Sequence, residues 1–292
     1  MKRLTCLCLG IITLLLLATP SGIAQTAQSN RVLFLGNSVF YWRGGVYQAF
    51  EGFCQADGLD YQAISQRKQP ENPHGIDFLG YGRIPVNLPE MAADEKIHAL
   101  IRNGQFDYVI LEARRPGYLL PEWVRSVEPE DGESIPFEQN SVALGKLHRT
   151  IVESGAQTVL YIHPGDHRFP DWVHPFAQIY ARLQADLEAM EINGQRHRVT
   201  LVPASLLWLD AKHRYGVDVW YDNSNHGSDL ARYASGCLLY TYLTGNDPRK
   251  SEFRELPTDW NVSPDASKKY VSKDDAKWIT EQAWLYYTTR SQ

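Results

Sequence analysis

A serine can act as a nucleophile only when a base stands beside it, and this chain offers one such pairing across a long separation. Ser38 closes Gly36-Asn37-Ser38, directly after the apolar run Arg31 to Gly36. His226 lies in Tyr221-Asp222-Asn223-Ser224-Asn225-His226-Gly227-Ser228, directly before another apolar segment. A serine between a strand and a helix N-terminus sits where backbone N–H groups can hold a developing oxyanion. A serine there is also an ordinary helix cap or turn residue. An imidazole with a carboxylate a few residues back supplies the base and its orienting group on one loop; otherwise the segment is a surface loop leading into a helix capped by Asp229.

A third cluster follows a later β-like run: His163-Pro164-Gly165-Asp166-His167, with His174 nearby. His163, Asp166 and His167 are a donor set that a divalent metal accepts, but a loop that touches substrate is the preferred reading, and ordinary loop histidines are the third. Tyr41, Trp42, Trp123, Trp172, Trp220 and Tyr221 all fall in segments flanking the expected strands and helices. They can stack on a sugar ring or fill the loop interiors.

These groups need elements to position them. Strand-like runs alternate with helical patterns, the signature of a parallel sheet covered by helices. Strands are expected at Arg31 to Gly36, Tyr61 to Ser65, Phe106 to Leu111, Thr158 to Ile162 and Arg198 to Val202. Helices are expected at Gly45 to Ala56, Pro89 to Arg102, Phe137 to Ser154, Val173 to Met190, Ala204 to His213 and Asp229 to Leu243, the last closed by Gly245. Gln66 to Leu88 reads as irregular, and Glu112 to Pro136 as a long cover over a site. A final helix is announced by Ser272 with Asp275 three residues on, a capping-box spacing.

Together the two motifs resemble the SGNH (GDSL-like) hydrolase family, whose first block carries a nucleophilic serine in a Gly-Asp/Asn-Ser turn and whose last block carries Asp and His on one loop. The resemblance spans most of Arg31 to Gly245. It implies an α/β, flavodoxin-like three-layer sandwich with a mostly parallel sheet of about five strands. It implies ester hydrolysis with Ser38 as nucleophile, His226 as base and Asp222 as orienting acid, and no cofactor. Two departures stand out. The family's aspartate stands three residues before the histidine, where this chain has Asn223; Asp222 is one residue further back. The family's Gly-x-Asn-Asp block is absent, and Leu111 is followed by Glu112, Ala113, Arg114 and Arg115. Oxyanion or substrate contacts are therefore expected from among Asn37, Gly82, Asn87, Glu112, Arg114 and His163.

Bulk properties frame this reading. Lys2 and Arg3, the apolar Leu7 to Ala18 and the small residues Gly22 and Ala24 have the layout of a signal peptide over residues 1–24. The hydrolase domain is expected over 25–248, with a C-terminal extension over 249–292 whose helix packs on it. A secreted or periplasmic location follows, with no stable membrane insertion after cleavage. A formal charge of −5 argues against nucleic acid as a partner, and leaves a small-molecule or carbohydrate ester. Acetyl groups on carbohydrate fit export and the aromatic content. A non-catalytic carbohydrate-binding protein on the same fold, and a metal-dependent hydrolase using His163, Asp166 and His167, are the competing functions. After signal removal two cysteines remain, Cys54 and Cys237. The first and last core helices of a flavodoxin-like sheet share a face, which predicts a Cys54–Cys237 disulfide in an oxidising compartment; two buried thiols are the other reading.

Overall fold

A computed structural model describes residues 29–36, 40, 45–65, 67–69, 72–77, 88–112, 137–162, 173–219, 226–256 and 269–290. Five parallel strands form the central sheet: β1 (Asn30–Leu35), β2 (Tyr61–Ser65), β5 (Tyr108–Leu111), β6 (Gln157–Tyr161) and β9 (Thr200–Val202). Their order is β2-β1-β5-β6-β9. Counted along the chain, this is the 2-1-3-4-5 order of flavodoxin-like doubly wound sheets. The α/β, three-layer expectation is borne out.

Alternation within the strands builds the layers, because successive side chains point to opposite faces. Val32 and Phe34 of β1 join one core with α1 (Gly45–Ala56), α7 (Asp229–Thr244) and α8 (Lys273–Arg290). Leu33 and Leu35 join the opposite core with α2 (Leu88–Ala93), α3 (Glu95–Asn103), α4 (Phe137–Glu153) and α5 (Val173–Ala189). The helix after β9 is α6 (Ala204–Tyr215), whose Ala204 and Leu207 enter the first core. Ile279 and Ala283 of α8 are fully buried in that core as well. Among the described residues no helix is long and apolar enough to cross a membrane; residues 1–28 lie outside them.

Two local expectations are corrected, and one further hairpin is added. The stretch read as irregular contains a hairpin of β3 (Arg67–Gln69) and β4 (Asn72–Asp77). The helix expected at Pro89 to Arg102 is two, because the Asp94 carboxylate accepts the Lys96 N–H at 2.9 Å and restarts the helix as an N-cap. A two-residue hairpin, β7 (Glu191–Ile192) and β8 (Gln195–Arg196), precedes β9. The helix ends are closer to expectation. Gly245 adopts φ 72° and donates to Thr241 O, closing α7 as a left-handed cap. At α8, Ser272 Oγ accepts the Asp275 N–H at 3.1 Å and donates to its carboxylate at 2.6 Å.

The predicted disulfide is not formed: Cys54 and Cys237 are both buried free thiols. Helices α1 and α7 do share a face, but they touch at Gly236, where a Cβ would stand 2.5 Å from Ala49 Cβ. Cys237 is turned away from that point by about 100°, and Cys54 lies about 7.5 Å further along α1. Burial pushes both thiols well above their ordinary range, so neither is a reactive thiolate.

Two titratable groups, a buried histidine and a half-buried glutamate, act on stability in opposite senses as pH changes. His148 is fully buried, its Nδ1 pairs with Thr158 Oγ1 at 2.8 Å and its Nε2 has no partner. Desolvation, then the nearby His197 and Arg149 charges, push it down to about 4. A depressed histidine supports the fold fully above its unfolded value near 6.5, and that support is lost as pH falls towards 4. Glu51, whose carboxylate accepts the Ala63 N–H at 2.6 Å, is pushed by burial up to about 7; its contribution is present below 4.5 and lost as pH rises through 7. His148→Asn should therefore flatten the loss of stability between pH 6.5 and 4 by about 2–3 kcal/mol in denaturant titrations. An unchanged acid slope would remove His148 from this role.

Candidate active site

All five strands run the same way, so Gly36, Glu112 and Ile162 lie at one carboxyl edge, fixed by the registers Leu35↔Leu111 and Leu111↔Leu160. The chain leaves β1 for β2 on one side and later adds β5 on the other. The direction of winding thus reverses between β1 and β5, the place where doubly wound sheets bind their ligands.

Gly36 and Glu112 meet at that reversal. The Glu112 N–H donates to Leu35 O at 3.0 Å, and its side chain is 0% exposed. A Cβ on Gly36 would stand 2.6 Å from Glu112 Oε2 and 2.8 Å from the Phe40 ring. Only glycine leaves room for this carboxylate and this ring together. Phe40 is held edge-on to Phe34 with ring centroids 5.3 Å apart, and against Tyr161 at 5.0 Å.

Tyr161 carries the arrangement towards α7. Its hydroxyl donates to Ser235 Oγ at 2.8 Å, and Trp208 Nε1 donates to the same oxygen at 2.9 Å. Burial raises the Tyr161 hydroxyl far above its ordinary range, with Glu112 adding a smaller push the same way; the phenol stays a neutral donor. The Trp208 ring packs so closely on Gly227 that a Cβ there would stand 2.5 Å from it. Ser228 then caps α7, its Oγ accepting the Ala231 N–H at 3.4 Å while its own N–H donates to Val219 O at 3.0 Å. His226 is thus fixed two residues before the cap. Desolvation lowers its pKa below the usual histidine value, which favours the neutral imidazole a general base requires.

Of the residues singled out from sequence, Glu112 and His226 are described, and so is His174, exposed near the start of α5. Asn37, Ser38, Gly82, Asn87, Arg114, His163, Asp166, His167, Asp222 and Asn223 lie outside the described residues. Among the described residues no group of three or more His, Cys, Asp or Glu side chains could hold a metal.

The Phe40–Tyr161–Ser235–Trp208 set was not found from sequence. Its signal was faint: Ser235 is one hydroxyl inside an apolar helix, and Tyr161 is one aromatic at a strand end. Arg232 had a stronger signal, a lone cation in the otherwise uncharged run Leu230 to Tyr240.

No family model and no curated protein matches this sequence. Among solved structures, the chain is similar to a DUF4886 family protein from Bacteroides uniformis. The match has a TM-score of 0.55 and 12% identity, and covers 90% of this chain and 96% of that one. At this identity the likeness speaks for the α/β fold with its parallel five-stranded sheet.

Proposed function

We propose that this chain is an exported serine esterase that hydrolyses O-acyl esters, with carbohydrate esters as the substrate class. One observation carries the reading. Gly36, which leads into Asn37-Ser38, and Gly227, which follows His226, are each packed against a single buried set of side chains at the carboxyl edge. In this mechanism His226 takes the Ser38 hydroxyl proton as the oxygen attacks the acyl carbonyl. The imidazolium returns the proton to the departing alcohol, leaving an acyl-serine. A water, deprotonated by the same imidazole, then releases the acid and restores the hydroxyl. Asp222 orients the imidazole, and backbone N–H groups at the start of the turn hold the oxyanion.

A fluorophosphonate probe is expected to label the full chain at Ser38, with the adduct located by peptide mass spectrometry. Labelling at another residue, or none in folded protein, would remove the serine mechanism. The lowered His226 pKa adds a kinetic expectation: kcat/KM on an aryl acetate should fall at acid pH with a midpoint below 6.5. A midpoint at or above 6.5 would mean that another group is the base.

A further inference from the structure

Arg232 lies one turn into α7 and is 3% exposed. Its Nη2 pairs with Asp229 Oδ1, three residues back, which folds the guanidinium over the first turn of the helix. Nε and Nη1 are buried and have no hydrogen-bond partner. Buried donors without acceptors are costly and call for a ligand, a role or a missing partner.

The position of this cation is set by how α1 and α7 pack. They run in the same direction: Gly236 opposes Ala49 and Phe50, and one turn further along α7 Tyr240 Oη donates to the carboxylate of Asp57, in the turn just past the end of α1. Arg232, one turn before Gly236 on the same face, therefore belongs beside the first turn of α1. That turn carries Gln48, whose Oε1 is also buried without a partner. This packing places Arg232 at the level where both helices begin, so the positive partial charge of each N-terminus is directed towards it. Asp229 supplies one compensating carboxylate. The site remains suited to one further negative charge, three residues beyond His226 on the chain as counted to Asp229.

We infer that Arg232 forms an anion subsite next to the esterase centre, and that the ester substrate carries a carboxylate on its acyl or sugar part. This rests on the serine esterase reading for its connection to turnover, but the anion site can be tested without it. A guanidinium already balanced by Asp229, with only the partial charges of two helix N-termini left over, matches a monoanionic carboxylate better than a phosphate. The carboxylate accepts from Nε and Nη1, and Gln48 can pair with a neighbouring hydroxyl or, with its amide turned, donate to the same anion.

Two measurements on the full chain decide this. Calorimetric titration of glutarate and of inorganic phosphate is expected to show glutarate binding more tightly, weakened about tenfold or more by Arg232→Gln. Asp229→Asn removes the competing carboxylate and is expected to tighten glutarate several-fold, so the site stays testable if Arg232→Gln fails to fold. In kinetics, the parent is expected to favour mono-4-nitrophenyl glutarate over 4-nitrophenyl acetate by about tenfold in kcat/KM, with Arg232→Gln bringing that ratio towards one. No glutarate binding, or binding untouched by both substitutions, overturns the anion site. Tighter phosphate overturns the carboxylate assignment. Arg232-dependent glutarate binding without turnover of either ester upholds the anion site and counts against the esterase reading instead.

Discussion

Ser38→Ala is expected to abolish ester turnover, a loss of about 10⁴-fold or more in kcat, in a protein that folds like the parent. The acid is the less obvious member, because Asn223 stands at the spacing from His226 where the resembling family has aspartate. An amide oxygen can accept the imidazole N–H and fix the tautomer, but it brings no full charge to the imidazolium that forms during attack. A carboxylate does both. Asp222→Ala is therefore expected to cost about 10²-fold or more, and Asn223→Ala less than about tenfold. Steady-state hydrolysis of a small aryl acetate by each folded variant makes the comparison. If Asn223→Ala is the more damaging, the acid has been misassigned; if all three variants match the parent, the chemistry lies elsewhere.

The second large effect is expected at Gly36. Adding one methyl there places carbon 2.6 Å from Glu112 Oε2 and 2.8 Å from the Phe40 ring. Neither neighbour can move cheaply. Glu112 is fully buried behind its own backbone hydrogen bond to Leu35, and Phe40 is braced by Phe34 and Tyr161. Overpacking of this kind costs about 1–3 kcal/mol. The damage to turnover should exceed what that loss of stability explains, because the displaced backbone leads directly into Asn37-Ser38. A cycle with Glu112→Ala separates the causes: the double variant should recover part of the Gly36→Ala loss, since one of the two clashing groups is gone. Strict additivity in melting and turnover would show that the close approach of Glu112 is not what requires glycine.

The same residue shows how far sequence reasoning reached at this site. Gly36 was legible as the glycine before a serine at a strand end, because a strand-to-helix turn has a local signature. Its actual constraint was not legible, since the clash comes from a carboxylate 76 positions away in sequence, Glu112. Glu112, one of the groups expected to contact the oxyanion or the substrate, is closed off from solvent and packed against Gly36. The helix expected at Pro89 to Arg102 failed for a local reason: Asp94 competes for a backbone N–H and restarts the helix. The disulfide failed for a geometric one, because sharing a face does not bring two side chains to the same crossing point.

The sequence by itself determined the alternation of strands and helices, hence a parallel sheet with two covered faces. It also determined the ends of α7 and α8, because turn and cap preferences act within a few residues. It brought Ser38 and His226 forward as a pair through their places before and after such elements. Tertiary structure alone decided which side chains brace the edge. The links from Phe40 through Tyr161, Ser235 and Trp208 to Gly227 join residues far apart in the chain. Periodicity shows that such residues face inward but not which partner each one meets. The same holds for Arg232, whose charge was visible in an apolar run but whose unmet donors follow from burial, a property of the packed helices rather than of any segment alone.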